Sequence, residues 1–277
     1  MTIPHLPMNH EEAMSEFPEF ADENLEIWNA NAAWWDDQIG DGNEFQTILI
    51  QPASERLLDI SQGDHVLDIA CGAGRFARRM AALGGRVIAI DQSTEFIERA
   101  RSRTPAESSV EYHIADATDK AAMLEFGNRR FDKAVCTMAL MDMPQIGPLL
   151  QALKQMLKPA GVFVFSMTHP CFHTPAIQRF TEMSEQDDGR LTVRSGVKVH
   201  SYLTPVARRT EGIVGQPRPQ LYFHRPLQVL FQSCFDAGFV IDRLEEPALS
   251  QSGERKPGVR WSEMTEVPPI LVVRARA

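Results

Sequence analysis

No run of apolar residues in this chain approaches the roughly 18 to 20 that a membrane-spanning helix requires. The four cysteines, at 71, 136, 171 and 234, have no CxxC or metal-like spacing. They read as small apolar residues in a reducing compartment, with no metal site expected. Residues 1–44 contain no Lys or Arg against eleven Asp or Glu, so the basic flank of a secretory signal is missing and a cytoplasmic location is expected. The remainder carries 28 basic and 26 acidic side chains, within a net charge of −9. Such a chain lacks the concentrated positive face that a nucleic-acid backbone demands, so a nucleic-acid partner is disfavoured. Internal repeats and low-complexity segments are absent too. What is present is an ordinary globular composition, with length for one large domain or a core with attachments.

Residues 1–20, rich in acids and proline, predict an irregular arm. Leu25, Trp28, Ala32 and Trp35 recur at helical spacing over 23–38. A second helix is expected over 46–58, interrupted near Pro52, with Ile48, Leu57 and Leu58 buried. Strands are then expected at 65–70, 86–90, 110–114, 132–137 and 162–166. Helices fall after the first two strands, the second capped by Ser93 or Thr94, and before the fifth, while a polar connection leads from the third to the fourth. Strands this apolar, alternating with helices, indicate a mainly parallel sheet covered on both faces. Residues 174–222 break the rhythm and read as a lid or substrate insert. A helix at 226–237 and strands at 239–244 and 270–274 restore it; the loop between those strands, with Pro257, resists assignment. The organisation expected is a helical cover (1–58), a core (59–173), the insert (174–222) and core completion (223–277), all one domain.

The chain is organised around Val66-Leu67-Asp68-Ile69-Ala70-Cys71-Gly72-Ala73-Gly74, a strand running into a glycine turn and a helix N-terminus. Gly72 and Gly74 alone match a dinucleotide fingerprint, and a nicotinamide-dependent oxidoreductase using NAD(P) is one reading. Asp68 argues otherwise, because a carboxylate suits a cationic amino group and opposes a pyrophosphate. Asp91 ends the second strand, where it can accept ribose hydroxyls. Asp116 ends the third, where it can accept from an exocyclic amine. Three acids at successive strand ends describe a pocket for a ligand with ammonium, ribose and adenine parts and no phosphate.

In these residues the chain resembles the class I S-adenosylmethionine-dependent methyltransferases. The stretch 66–74 looks like the family's first motif, Ile90-Asp91 its second and Ala115-Asp116-Ala117 its third. Phe131-Asp132-Lys133-Ala134-Val135 and Leu157-Lys158-Pro159-Ala160-Gly161 are similar to its later signatures. Cys71 is a minor variant. The resemblance implies a Rossmann-like α/β fold with a seven-stranded sheet whose last strand is antiparallel, an N-terminal helical cover over the cofactor cleft and an insert after strand five. It implies S-adenosylmethionine as cofactor, leaving S-adenosylhomocysteine as product. The cofactor-binding positions are then Asp68, Cys71, Gly72, Ala73, Gly74, Asp91, Gln92, Asp116, Ala117, Thr137 and Met138.

The acceptor is expected at the ends of strands four and five. Thr137-Met138-Ala139-Leu140-Met141-Asp142-Met143 lacks the Asn-Pro-Pro-Tyr type of motif, which disfavours a planar exocyclic amine. His169, after strand five, and His224 are the candidate bases. Trp34, Trp35, Met141, His173, Tyr222 and Arg225 are candidate substrate contacts; adjacent tryptophans cannot share one helix face, so at least one should meet a ligand, an interface or the lid. Seven basic residues lie at 190–225; they neutralise the acidic N-terminal region or bind an acidic acceptor, the first being favoured. The function expected is methyl transfer to a small-molecule acceptor, with oxygen favoured over nitrogen or carbon. A non-catalytic cofactor-binding partner protein is the further alternative.

Overall fold

The computed structural model describes residues 16–174, 177–250 and 260–277. Most of the acidic arm and Pro257 lie outside those residues. Seven strands build the central sheet: β1 (His65–Ile69), β2 (Arg86–Asp91), β3 (Val110–Ile114), β4 (Phe131–Thr137), β5 (Leu157–Thr168), β10 (Val240–Glu245) and β11 (Ile270–Arg276). Their order is β10-β11-β5-β4-β1-β2-β3. The strands from β1 to β5 pair in parallel, and β11 runs antiparallel between β5 and β10. This is the Rossmann-like sheet with an antiparallel last strand that the motif order implies.

Alternation along each strand divides the core between two faces. Leu67, Ile69, Phe163 and Phe165 pack on one side with helices α6 (Gly147–Met156) and α7 (Leu227–Asp236). Val66, Val87, Val135 and Val164 pack on the other, against α2 (Gln51–Leu58), α3 (Arg75–Ala82) and α4 (Thr94–Arg103). Phe163 and Phe165 are fully buried, and truncating either to Ala would cost about 3–5 kcal/mol. Ser93 caps α4 by accepting the Phe96 N–H at 3.3 Å.

The structure corrects several expectations. The polar connection between β3 and β4 holds a short helix, α5 (Lys120–Leu124), capped by Asp119. Strand β5 starts at Leu157, because Leu157 pairs with Phe131 before a bulge in which Ala160 takes φ +63°. Phe45–Ile50 winds as a π-helix ahead of α2; the wider turn buries Leu49 and Ile50 and leaves Ile48 half exposed. The insert is not irregular. It forms two antiparallel hairpins, β6 (Ile177–Glu185) with β7 (Leu191–Val199), and β8 (Val206–Thr210) with β9 (Gln220–His224).

Helix α1 (Ala21–Ile39) lies along α4. Asp36 receives Arg99 at 3.1 Å and Arg103 at 2.8 Å, and Trp28 packs on Phe96. Two of the basic insert residues meet acids of α1: Arg209 pairs with Glu23 at 2.5 Å and Arg218 with Glu26 at 3.8 Å, while Arg190 and Lys198 pair within the insert, with Asp188 and Glu182. Among the described residues, no helix is long and apolar enough to cross a membrane.

Candidate active site

The turn after β1 is shaped by left-handed backbone at Ala70, Gly72 and Gly74. Gly74 is needed for space, since a Cβ there would come within 2.3 Å of the Tyr112 hydroxyl. Asp91 ties the turn to the end of β2: its Oδ2 accepts the Gly72 N–H and its Oδ1 the Ser93 N–H, both at 2.9 Å. Asp116 closes a similar turn by accepting from Thr118 N and Oγ1 at 2.8 Å.

Asp68 shares a strand face with Val66, so alternation drives its carboxyl under the turn into the side packed by α3. It is 0% exposed and, among the described residues, neither oxygen has a hydrogen-bond partner. Burial, then the charge of Asp91, push its pKa up to about 8. Burial raises Asp91 to about 6 against the opposing N–H bonds of Ser93 and Gly72. Burial thus keeps this carboxyl protonated near neutral pH, and a cation placed nearby would favour its ionisation.

One cavity of about 740 Å³ opens over this turn and runs along the carboxyl ends of the parallel strands. Cys71, Gly72 and Ala73 line it from β1, Asp91 and Gln92 from β2, Asp116 and Ala117 from β3. Thr137 and Met138 continue the wall from β4, with Met138 at φ +55°.

Comparison with known proteins places this geometry. A profile of the methyltransferase domain matches residues 67–165. The structure of an S-adenosylmethionine-dependent methyltransferase from Mesorhizobium loti superposes with a TM-score of 0.61 at 25% identity, covering 82% of this chain and 96% of that one. Residues 67–165 form a methyltransferase domain, within a chain that has the fold of an S-adenosylmethionine-dependent methyltransferase. Among sequence relatives, the O-methyltransferase cnsE of Penicillium expansum is 32% identical over 136 residues, 46% of this chain and 48% of the relative. The match thus spans about half of that relative's length. The ubiquinone biosynthesis O-methyltransferase of Xanthomonas oryzae pv. oryzae is 29% identical over 177 residues, 62% of this chain and 70% of the relative.

The cofactor of this family fits the residues present. Asp68 supplies an unpaired buried carboxyl whose ionised form an ammonium or sulfonium would stabilise, and Asp91 and Asp116 stand at the neighbouring strand ends. Trp28, Trp35 and Phe96 wall the same cavity from α1 and α4. Two expected residues act from behind the lining: Asp68 beneath the turn, and Gly74 against Tyr112. The Cys71 thiol is raised by burial and by the charges of Asp68 and Asp91, which keeps it protonated and inert.

The acceptor end differs from the sequence expectation. Trp35, Met141, His173 and Tyr222 line the cavity, whereas Trp34 stands edge-on to Trp35 and near Gly215 of the insert. His169 is outside the lining: Nε2–H donates to Glu246 at 2.8 Å and Nδ1 accepts the Cys171 N–H at 3.1 Å. Both nitrogens are spent shaping the turn after β5, and burial lowers the imidazole pKa. His224 also faces away, with Nε2 on the Tyr202 carbonyl at 2.7 Å. The structure brings neither candidate base to the cavity.

Arg225 is likewise withdrawn, its side chain 3% exposed. It donates to the carbonyls of Met143 at 3.1 Å and Pro144 at 2.9 Å, bracing that turn from behind. His173 keeps to the wall, its ring tilted at 54° against Trp261 and its pKa lowered by burial to about 4, so it is neutral near pH 7. Sequence reasoning missed Asp142, Gln220 and Asn24, which line this end together. One signal was available: Asp142 is the only charged residue between Lys133 and Lys154.

Proposed function

We propose that this chain transfers the methyl group of S-adenosylmethionine to a small-molecule acceptor, with oxygen favoured over nitrogen or carbon. The observation that carries the reading is the single cavity joining two ends. At one, acids close three successive parallel strands around the glycine turn; at the other, methionines, Tyr222, Thr168 and Asp142 surround the ends of β4 and β5. The names of the two O-methyltransferase relatives support the oxygen preference.

The bound cofactor would supply an activated methyl on a positively charged sulfur, which leaves the protein to align, exclude water and handle a proton. In this reading Gly72, Ala73 and the N-terminus of α3 receive its amino-acid end, with Asp68 as the balancing charge below. Asp91 takes the ribose and Asp116 the base, under the cover of Trp28 and Trp35. Tyr222, whose hydroxyl pairs with Thr168 Oγ1 at 2.9 Å, shapes the acceptor end beside Met141.

Thermal unfolding tests this directly. S-adenosylhomocysteine at about 100 times its Kd should add about 2.7 kcal/mol and raise Tm by about 5–10 °C. NAD(P) at the same concentration should leave Tm unchanged. Stabilisation by the dinucleotide and not by S-adenosylhomocysteine would overturn the assignment.

A further inference from the structure

The turn after β4 carries a carboxylate that the fold takes pains to place. Leu140–Asp142 is a single 3-10 turn, and Asp142 within it is buried to 6% exposure. Gln220 Nε2, from β9, donates to its Oδ1 at 3.0 Å. Asn24 Nδ2, from α1, donates to its backbone carbonyl at 3.0 Å. Arg225 fixes the next two carbonyls, as described. Segments more than seventy residues apart in sequence therefore converge on one turn. Oδ2 accepts no hydrogen bond among the described residues, and Asp142 lines the cavity at the end of the sheet where β4 and β5 terminate.

The surrounding polar atoms have a common character. Both amides spend an N–H on Asp142, and the buried oxygens Asn24 Oδ1 and Gln220 Oε1 lack donors. Met141 and Met143 fill the adjoining wall. Such a corner has acceptors to offer and is completed by a ligand that donates a hydrogen bond.

We propose that Asp142, positioned by Gln220 and Asn24, receives the hydroxyl of the acceptor on Oδ2 and takes its proton during methyl transfer. This rests on the methyltransferase reading above and assigns the base that His169 and His224 do not supply. The step balances without oxidant or reductant. The acceptor's O–H bond breaks, its electron pair stays on oxygen, and that oxygen forms the new O–CH3 bond. The S–CH3 bond breaks with its pair returning to sulfur, which becomes neutral. The proton rests on Asp142 Oδ2 and leaves by exchange with water. The corner selects for donors; a carboxylate ligand would bring further acceptors to Asn24 Oδ1 and Gln220 Oε1, which already lack donors.

The test uses the full chain saturated with S-adenosylhomocysteine and three probes sharing one ring: catechol, 1,2-dimethoxybenzene and benzoate. Binding is read from tryptophan fluorescence, since Trp28, Trp35 and Trp261 line the cavity. Catechol should bind about 10-fold more tightly than dimethoxybenzene, the worth of one well-made hydrogen bond. Benzoate should bind most weakly. In Asp142→Ala the catechol preference should vanish, and in Gln220→Leu it should shrink, while both variants keep wild-type affinity for S-adenosylhomocysteine, which shows that they fold. In parallel, Asp142→Asn should cut catechol methylation far more than catechol binding. Equal binding of catechol and dimethoxybenzene, no saturable catechol binding, or a preference that survives in Asp142→Ala overturns the proposal. Failure of the wild type to bind S-adenosylhomocysteine would instead remove the methyltransferase reading, and this assignment with it.

Discussion

At the scale of single residues, two buried groups should pull stability in opposite directions as pH changes. Asp68 holds its proton up to about pH 8 in the folded chain, against an ordinary value of 3.8. Between those values the folded state binds more protons than the unfolded state, so rising pH removes stability, at most about 1.4 kcal/mol per pH unit. His173 is lowered from 6.5 to about 4, so the unfolded state binds the extra proton in that window and stability there rises with pH. Above pH 6.5 His173 no longer contributes, and the falling slope set by Asp68 remains. Calorimetric Tm measured from pH 6.5 to 8 should fall for the wild type and fall less steeply for Asp68→Asn. Identical slopes would show that Asp68 is not the group responsible. The same unpaired carboxyl is what a positively charged ligand would neutralise, so binding of the sulfonium should tighten where Asp68 gives up its proton.

At the scale of elements, α1 shows how a helix can be misread from its apolar spacing. Its large apolar residues line up as Leu25, Trp28, Ala32 and Trp35, yet its most buried positions include Asn24, Asn31 and Asp36. Each of these has a distant partner: Asn24 on the turn after β4, Asn31 on both backbone groups of Arg218, and Asp36 on Arg99 and Arg103. Trp28 and Trp35 are thereby left to the cavity. Asp36→Ala removes the buried ionic link between α1 and α4 and leaves two partly exposed arginines without their shared partner. Amide hydrogen exchange across 21–39 should quicken, and affinity for S-adenosylhomocysteine should drop about 5- to 10-fold, of order 1 kcal/mol. Unchanged exchange would mean that packing alone holds the helix. By contrast, charge reversal at exposed Arg209 should leave acceptor kinetics unaltered, because that guanidinium is engaged with Glu23.

At the scale of the molecule, the β6–β7 hairpin stands apart from the central sheet. It shares no strand pairing with it, and Met183 and Leu191 near its tip are 60% and 65% exposed. Its base is different: Ile177 packs on the core, and the Arg179 guanidinium lies 5.5 Å from the centre of the Trp261 ring. Because Ile177 and Val199 are paired, residues 178–198 can be replaced by a short Gly-Ser link without moving the ends. The truncated chain should retain its far-UV circular dichroism and cooperative unfolding, while Trp261 emission shifts to the red as its cover is lost. Loss of cooperative unfolding would mean that the hairpin belongs to the core.

The sequence by itself determined the sheet, the glycine turn and the acids at three strand ends. Those features are local: a strand face repeats every two residues, a tight turn needs glycine where φ is positive, and an acid at a strand end is marked by the apolar run it closes. The acceptor end was decided only by tertiary structure. His169 and His224 stand at plausible positions along the chain, but each finds a neighbour that turns its ring away from the cavity. Asp142 looks unremarked between two methionines until α1 and β9 arrive beside it with Asn24 and Gln220. Contacts between residues separated by 118 and 78 positions have no local signature, and they are the ones that say which side chain meets the acceptor.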